Sequence, residues 1–552
     1  MSKHTLWFPI LLAILFAALP LRVCAQFNNQ EEDDNPFDPS KPKRDYVYLL
    51  HADETRFNKN INAYAKVLVG NVSFRHDSLY MYCDSALFYE ASNSIDAFGN
   101  VRMEQGDTLF LYGDRLMYDG NAMLAKVRNN VRMEDPRMVL TTDSLNYDRT
   151  INLGYYLDGG MLQDSVNTLT SVWGEYDTKT KDAEFNYEVT LTNKNYTLTG
   201  DTLGYNTNTR IATISGPTNI VSDENRIYSE RGFYDTGKDQ VMLFDRSTWT
   251  NGDQRLVGDS LFYDKNKQYG EAFKNVILDD FKDKTRLTGD YVFYDEVKDS
   301  AIATRRAIAT EYSQGDSLFL HGDTLKMITY NNETDSLYRI LRAYRHVRVY
   351  RSDLQAVCDS LVFNTLDSCI TMYYDPIVWN GPQQVLGEKI FIYLNDSTVE
   401  KAYVENQALL VEKLDTTHYN QIGGRDIKAY FVDGEIEHAD VSGNVQVIYY
   451  YREEGDSVLL GMNTTEASML TAYMSKRTVD KLLITHKSNG IFYPLSQAPS
   501  DKMKLASFGW FANIRPLSKE DTLIWRGKKE ETKLKTTKRN AVPLPSLKGL
   551  EP

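Results

Sequence analysis

Carboxylates stand at a regular spacing through much of this chain. Asp84, Asp114, Asp143, Asp201, Asp259, Asp290, Asp323 and Asp359 occupy one place in a short recurring phrase, which reads Gly113-Asp114-Arg115-Leu116-Met117-Tyr118-Asp119 and returns as Gly258-Asp259-Ser260-Leu261-Phe262-Tyr263-Asp264. Carboxylates repeated along stacked turns are the chemistry of a calcium-binding β-roll. The Gly-Gly-x-Gly-x-Asp pattern of such rolls is missing, however, and Asp143, Asp201 and Asp259 precede Ser or Thr, as turn chemistry prefers. His51, His76, His321, His346, His418, His438 and His486 are scattered, without metal-ligand spacing or a nucleophile elbow. The expectation is no catalytic residue, no metal and no cofactor. A polysaccharide-processing β-helix is the natural enzyme alternative, but its single-direction coils would not alternate two unlike half-repeats. Cys83, Cys358 and Cys369 read as small buried residues, with no zinc spacing and no disulfide framework.

The elements that carry these residues repeat with a period of about 30, the mark of a small supersecondary unit stacked many times. Degenerate copies are read at Glu175 and Glu230, and Gly387-Glu388-Lys389-Ile390-Phe391-Ile392-Tyr393 continues the series. Each phrase has a returning half, such as Ala97-Phe98-Gly99-Asn100-Val101-Arg102-Met103 or Ala272-Phe273-Lys274-Asn275-Val276-Ile277-Leu278. A strand that ends in Tyr-Asp, turns through polar residues and comes back is a hairpin. Glycine inside a strand pattern marks a bulge or corner, so Gly113-Asp114 and Gly99-Asn100 predict that every hairpin folds over itself into two packed sheets. The fold class is all-β, an elongated stack of bent hairpins.

Residues two apart on a strand share a face. The pairs Leu116/Tyr118, Leu145/Tyr147, Leu203/Tyr205, Leu261/Tyr263, Val292/Tyr294 and Leu361/Phe363 therefore form an inward apolar ladder. Two uses suit such a ladder: an apolar conduit, or simply the packed core of a structural or adhesive cell-envelope repeat protein. A ladder that persists from end to end, joined by short turns, favours the conduit.

A net charge of −14 argues against nucleic acid, whose phosphates reward a basic surface. Residues 1–25 read as an export signal, with Lys3 and His4 before the apolar run Leu6 to Leu21 and Val23-Cys24-Ala25 as the cleavage site. Residues 26–44 are an acidic, proline-containing linker, 45–460 the repeat array, 461–525 a β or irregular cap, and 526–552 a basic disordered tail.

The paired motif, strongest at Val69-Gly70-Asn71-Val72 with Asp77-Ser78-Leu79 and from Ala97 to Asp119, resembles the OstA/LptA-like family in its extended, Bacteroidetes-type OstA-like form. The resemblance covers roughly residues 45 to 460. It implies a twisted β-jelly-roll, made of one or several consecutive segments, whose interior shields the acyl chains of lipopolysaccharide in the periplasm. It also implies edge-to-edge sheet docking onto other Lpt-type jelly-roll proteins at the inner and outer membranes, and a part in outer-membrane assembly. This chain is much longer than a family bridge unit, and it lacks the strand signature of the pathway's outer-membrane barrel.

Overall fold

The computed structural model describes residues 46–527, apart from 58–63, 107–108, 223–224, 314, 332–333, 335, 396–397, 434, 453–457, 476–477 and 487. The expected signal segment, the linker after it and nearly all of the basic tail lie outside the described residues. The described chain forms 38 strands in one continuous antiparallel sheet, with four short 3-10 turns near its end. Strand Lys66–His76 pairs with Leu79–Tyr89, which pairs with Ser94–Gln105, and Leu109–Asp119, Leu124–Asp135 and Met138–Asp148 continue the series. The last Asp of the phrase builds the turn. Asp119 Oδ1 accepts the N–H groups of Asn121 and Ala122, and Asp177 does the same for Lys179 and Thr180. A side chain that replaces a backbone carbonyl in this way is why Asp is favoured there.

Each of these pairings slips once near its middle, as does that of Tyr269–Asp280 with Thr285–Asp295. The shifts fall between Phe98 and Val101, Arg128 and Val131, and Phe273 and Val276. The skipped residues are left-handed, with Gly99 at φ 73° and Asn100 at 43°, and Asn129 at 60° and Asn130 at 50°. A bulge of this kind bends the strand, so each hairpin has two arms, a first before the marker carboxylate and a second after it. The marker fastens the bend: Asn100 Nδ2 donates to Asp84 at 2.8 Å, Asn130 to Asp114 at 2.6 Å and Asn275 to Asp259 at 2.8 Å. Arg306 replaces the Asn against Asp290, and His346 lies 2.8 Å from Asp323. At Asp84, Asp114, Asp259, Asp290 and Asp323 the marker carboxylate thus holds its corner.

Two sequence expectations change in detail. The left-handed corner belongs to the returning strand, whereas Gly113 makes room, because a Cβ there would overlap Val127 Cγ1. Glu175 is not the degenerate marker. Strand pairing puts Glu175 opposite Glu184, and Val172 donates its N–H to Tyr187 O at 3.0 Å, which places Val172 at the corner. Tyr176 and its neighbours set that register.

Within a hairpin the inward residues are buried and the outward ones half-buried. Leu109, Leu111, Leu116 and Tyr118 face in, while Phe110, Tyr112 and Met117 face out. The inward residues of both arms join one hydrophobic cluster that continues from Val47 to Ala472. After strand Asn489–Pro494 the chain leaves the sheet, and residues 495–527 run back over the outer face of the later first arms as a strap. Phe511 and Ile514 pack on Trp379, Leu386, Leu409 and Val411, and Leu495 and Met503 pack on Tyr450 and Met462. Val378, Val385 and Leu410, which alternate with those strap-covered residues, point to the inner cluster.

Candidate functional site

The turns fall in two rows that face each other across a mouth, one row following the first arms and the other the second arms. The ladder tyrosine sits just before the second row, within reach of the first. In the early repeats its hydroxyl crosses. The Tyr118 hydroxyl lies 2.6 Å from His76 Nδ1, that of Tyr147 3.3 Å from Gln105 Oε1, and that of Tyr176 2.5 Å from Asp135 Oδ2, while Tyr205 bonds Asp164. The partners are 41 or 42 residues apart in every case. Arg149 Nη1 donates to the Tyr118 hydroxyl at 3.0 Å, Lys181 Nζ to Asp135 at 2.8 Å, and Asn167 Nδ2 to the Tyr205 hydroxyl at 2.9 Å. These bonds are latches that close the mouth over a filled interior.

Burial sets the electrostatics of the latches. It pushes the Tyr118, Tyr147, Tyr176 and Tyr205 phenols above their ordinary value, with the carboxylates of Asp135 and Asp164 adding to the rise at Tyr176 and Tyr205. For Asp135 burial acts in the same upward sense. Hydrogen bonds from Lys181, Tyr176 and the Arg137 N–H outweigh it, and the carboxyl lies below its ordinary range.

Further along, the same ladder position stops crossing. Tyr234 turns to Asp239 at 3.0 Å, Tyr263 to Glu296 at 2.8 Å and Tyr294 to Asp299 at 3.4 Å, each within its own row of turns. Tyr294 is 41% exposed, and Met327, next in the ladder, 39%. Phe363 and Ile392 are half-buried. The facing wall changes in step. Leu111, Leu140, Leu169 and Leu198 are fully buried, whereas Ile227, Leu256 and Leu287 at the equivalent positions are only half-buried. Ala303 and Ala309 stand where Val127 and Met133 fill the earlier interior. Less bulk and no tyrosine latch leave an apolar wall open to solvent. Arg339 reaches Asp283 across this stretch at 3.0 Å, an ion pair exposed on both sides.

The inward residues expected from the sequence therefore divide. Leu116, Tyr118, Leu145, Tyr147, Leu203 and Tyr205 lie in the sealed stretch. Leu261, Val292 and Leu361 floor the open stretch, with Tyr263, Tyr294 and Phe363 at its rim. Sequence reasoning missed the latch partners and the seat of the strap. Gln384, fully buried, accepts from Phe511 N at 2.9 Å and Trp379 Nε1 at 3.1 Å, and donates to Gly509 O at 2.8 Å. Gln421 clamps Met503 O and Leu505 N at 2.9 Å each. A glutamine among apolar residues on alternate strand positions was the available signal for that seat. Cys83, Cys358 and Cys369 are buried and no disulfide joins them, and burial pushes the Cys83 thiol up to about 12. Among the described residues no cluster of His, Cys, Asp and Glu could hold a metal ion.

Residues 44–201 match the family model described as OstA-like protein, a segment that includes the latches of Tyr118, Tyr147 and Tyr176. No curated protein matches the chain.

Proposed function

Taking residues 44–201 as an OstA-like segment, we propose that the protein carries the acyl chains of lipopolysaccharide across the periplasm in the open stretch of its groove. An acyl chain in water costs about 0.8 kcal/mol for each CH₂ left unburied. The walls that offer burial are those of Ile227, Leu256, Leu287, Tyr294 and Met327, half-buried or exposed and apolar. The observation that carries this reading is the loss of the tyrosine latches after Tyr205, which leaves an apolar interior accessible from the side. The sealed stretch then serves as a rigid extension. Among the described residues, strand Tyr48–His51 at one end pairs only with Lys66–His76, and strand Asn489–Pro494 at the other only with Leu459–Ser475. Both free edges carry exposed apolar residues, Tyr48 and Leu50 at the first, Ile491 and Phe492 at the second. An uncovered edge is a template for a further strand, which suits docking of jelly-roll partners at inner and outer membranes.

A second reading, a structural envelope repeat without lipid cargo, is favoured by the filled interior of the sealed stretch. Depletion of the protein in cells separates the two. Loss of lipopolysaccharide from the cell surface is the expected result, and unchanged surface lipopolysaccharide with an intact envelope would support the structural reading.

A further inference from the structure

The outer face of the second arms changes character along the stack. In the early repeats it carries Arg115, Met117, Lys126 and Asn146. Between Tyr373 and Lys481 rings and lysines alternate. Lys389 Nζ lies 5.3 Å from the Tyr373 ring centre and 5.7 Å from that of Phe391, and Lys401 5.5 Å from Tyr393 and 5.8 Å from Tyr430. Lys428 is 5.3 Å from Tyr403 and Lys481 5.6 Å from Tyr473. The rings lie nearly parallel to their neighbours: Phe391 and Tyr403 differ by 14°, and Tyr430 and His438 by 17°. On the adjacent strands Glu405 stands opposite Lys389 and Asp440 opposite Lys428, and Asp440 accepts the Thr471 hydroxyl at 2.7 Å. Lys401 stands opposite Tyr393 and Lys481 opposite Tyr473, with no carboxylate across from either.

Cross-strand cation–π pairs stabilise a sheet by themselves. That account covers one pair at a time. It leaves unexplained why ammonium groups stand on three consecutive strands of one face of a chain whose net charge is −14. We propose that this face binds an anionic glycan. The C–H face of a pyranose packs on a flat ring, and its carboxylate or phosphate takes the neighbouring ammonium. Lys389, Lys401 and Lys428 lie on consecutive strands but are staggered along them, Lys401 four residues from Lys389 and Lys428 two residues from Lys401. This spreads the ammonium groups by roughly 14 Å and 8 Å, over several sugar residues of a chain lying across the face. A polyphosphate backbone fits less well, since the strongly negative body repels its dense charge at long range. The site does not require a lipid in the groove.

The test is titration calorimetry on the full chain with four probes: lipid-free oligogalacturonate, neutral malto-oligosaccharide of equal length, lipopolysaccharide and oligodeoxythymidylate. Oligogalacturonate is expected to bind at least about tenfold more tightly than malto-oligosaccharide, and to weaken with salt as exposed charge pairs do. The double variant K401Q/K428Q, with circular dichroism as a folding control, should weaken it at least about tenfold, and Tyr430→Leu should do so with the charges intact. Silence with oligogalacturonate overturns the proposal. So does binding indifferent to all these substitutions, binding of lipopolysaccharide alone, or tighter binding of oligodeoxythymidylate through the same residues. Failure of the lipid-carrier reading would leave lipid-free binding in place, which keeps the two claims apart.

Discussion

The repeats up to Tyr205 and those from Tyr234 on share one backbone plan and differ in what holds their arms together. In the first stretch a tyrosine hydroxyl crosses to a polar side chain on the opposite row of turns, and the interior is filled. In the second the ladder residue turns to its own row or has no hydroxyl, as at Met327, Phe363 and Ile392, and the interior is partly bare. The polar groups needed for latching do not vanish. Asn193, Ser222 and Asn251 hold the positions equivalent to Asp135 and Asp164, but they bond within their own row, to Tyr196 N, Asn195 O and Asn225 Oδ1. The strap is bonded further along, at Arg348, Gln355, Gln384 and Gln421. Its anchors Gln384 and Gln421 lie on the outer face of the open stretch, so strands are held together from outside where they are not held from inside. One repeat motif can thus build either a closed beam or an open trough, depending on which bonds cross the mouth.

The largest expected contrast is in packing. Leu140→Ala, in the sealed interior, should cost about 2–5 kcal/mol, and Leu287→Ala, already half-exposed, less than about 2 kcal/mol. Hydrogen exchange resolved along the chain checks both, and equal losses would erase the distinction between the stretches. Next comes the strap. Gln384→Ala strips partners from Phe511 N, Trp379 Nε1 and Gly509 O, each costing about 1–3 kcal/mol if left buried and unpaired. Amides of residues 505–514 should lose protection while those of the latched repeats keep theirs.

A smaller contrast sharpens the latches themselves. Tyr176→Phe should cost about 1–3 kcal/mol by leaving buried Asp135 short of a donor, whereas Tyr294→Phe should be nearly neutral. The pH dependence follows in sign. The Asp135 carboxyl lies below its ordinary range when folded, so its contribution is complete above about pH 4 and is lost as pH falls through the folded value. The latch phenols lie above theirs, so their contribution is complete below about pH 10 and is lost as pH rises beyond it. Melting curves of Asp135→Asn should show a flattened acid limb. An acid limb unchanged by that substitution would count against the latch account.

Much of the architecture was legible in the residues. The period, the hairpins, the corner at Gly99-Asn100 and the inward Leu and Tyr positions follow from turn chemistry and alternation. What escaped was relational. A tyrosine looks the same at Tyr147 and Tyr294, and only the path of the chain decides whether its hydroxyl meets Gln105 across the mouth or Asp299 beside it. The false marker at Glu175 arose because the corner residue there is Val172, which has no carboxylate to count. The strap was illegible for a similar reason, since Gln384 and Phe511 are 127 residues apart.

Photo-crosslinking in cells tests the central claim most directly. A photoreactive residue placed at Tyr263, Tyr294 or Phe363 should form adducts with lipopolysaccharide, and one at Tyr118 or Tyr147 should not. Equal labelling in both stretches, or labelling confined to the latched one, would contradict the account.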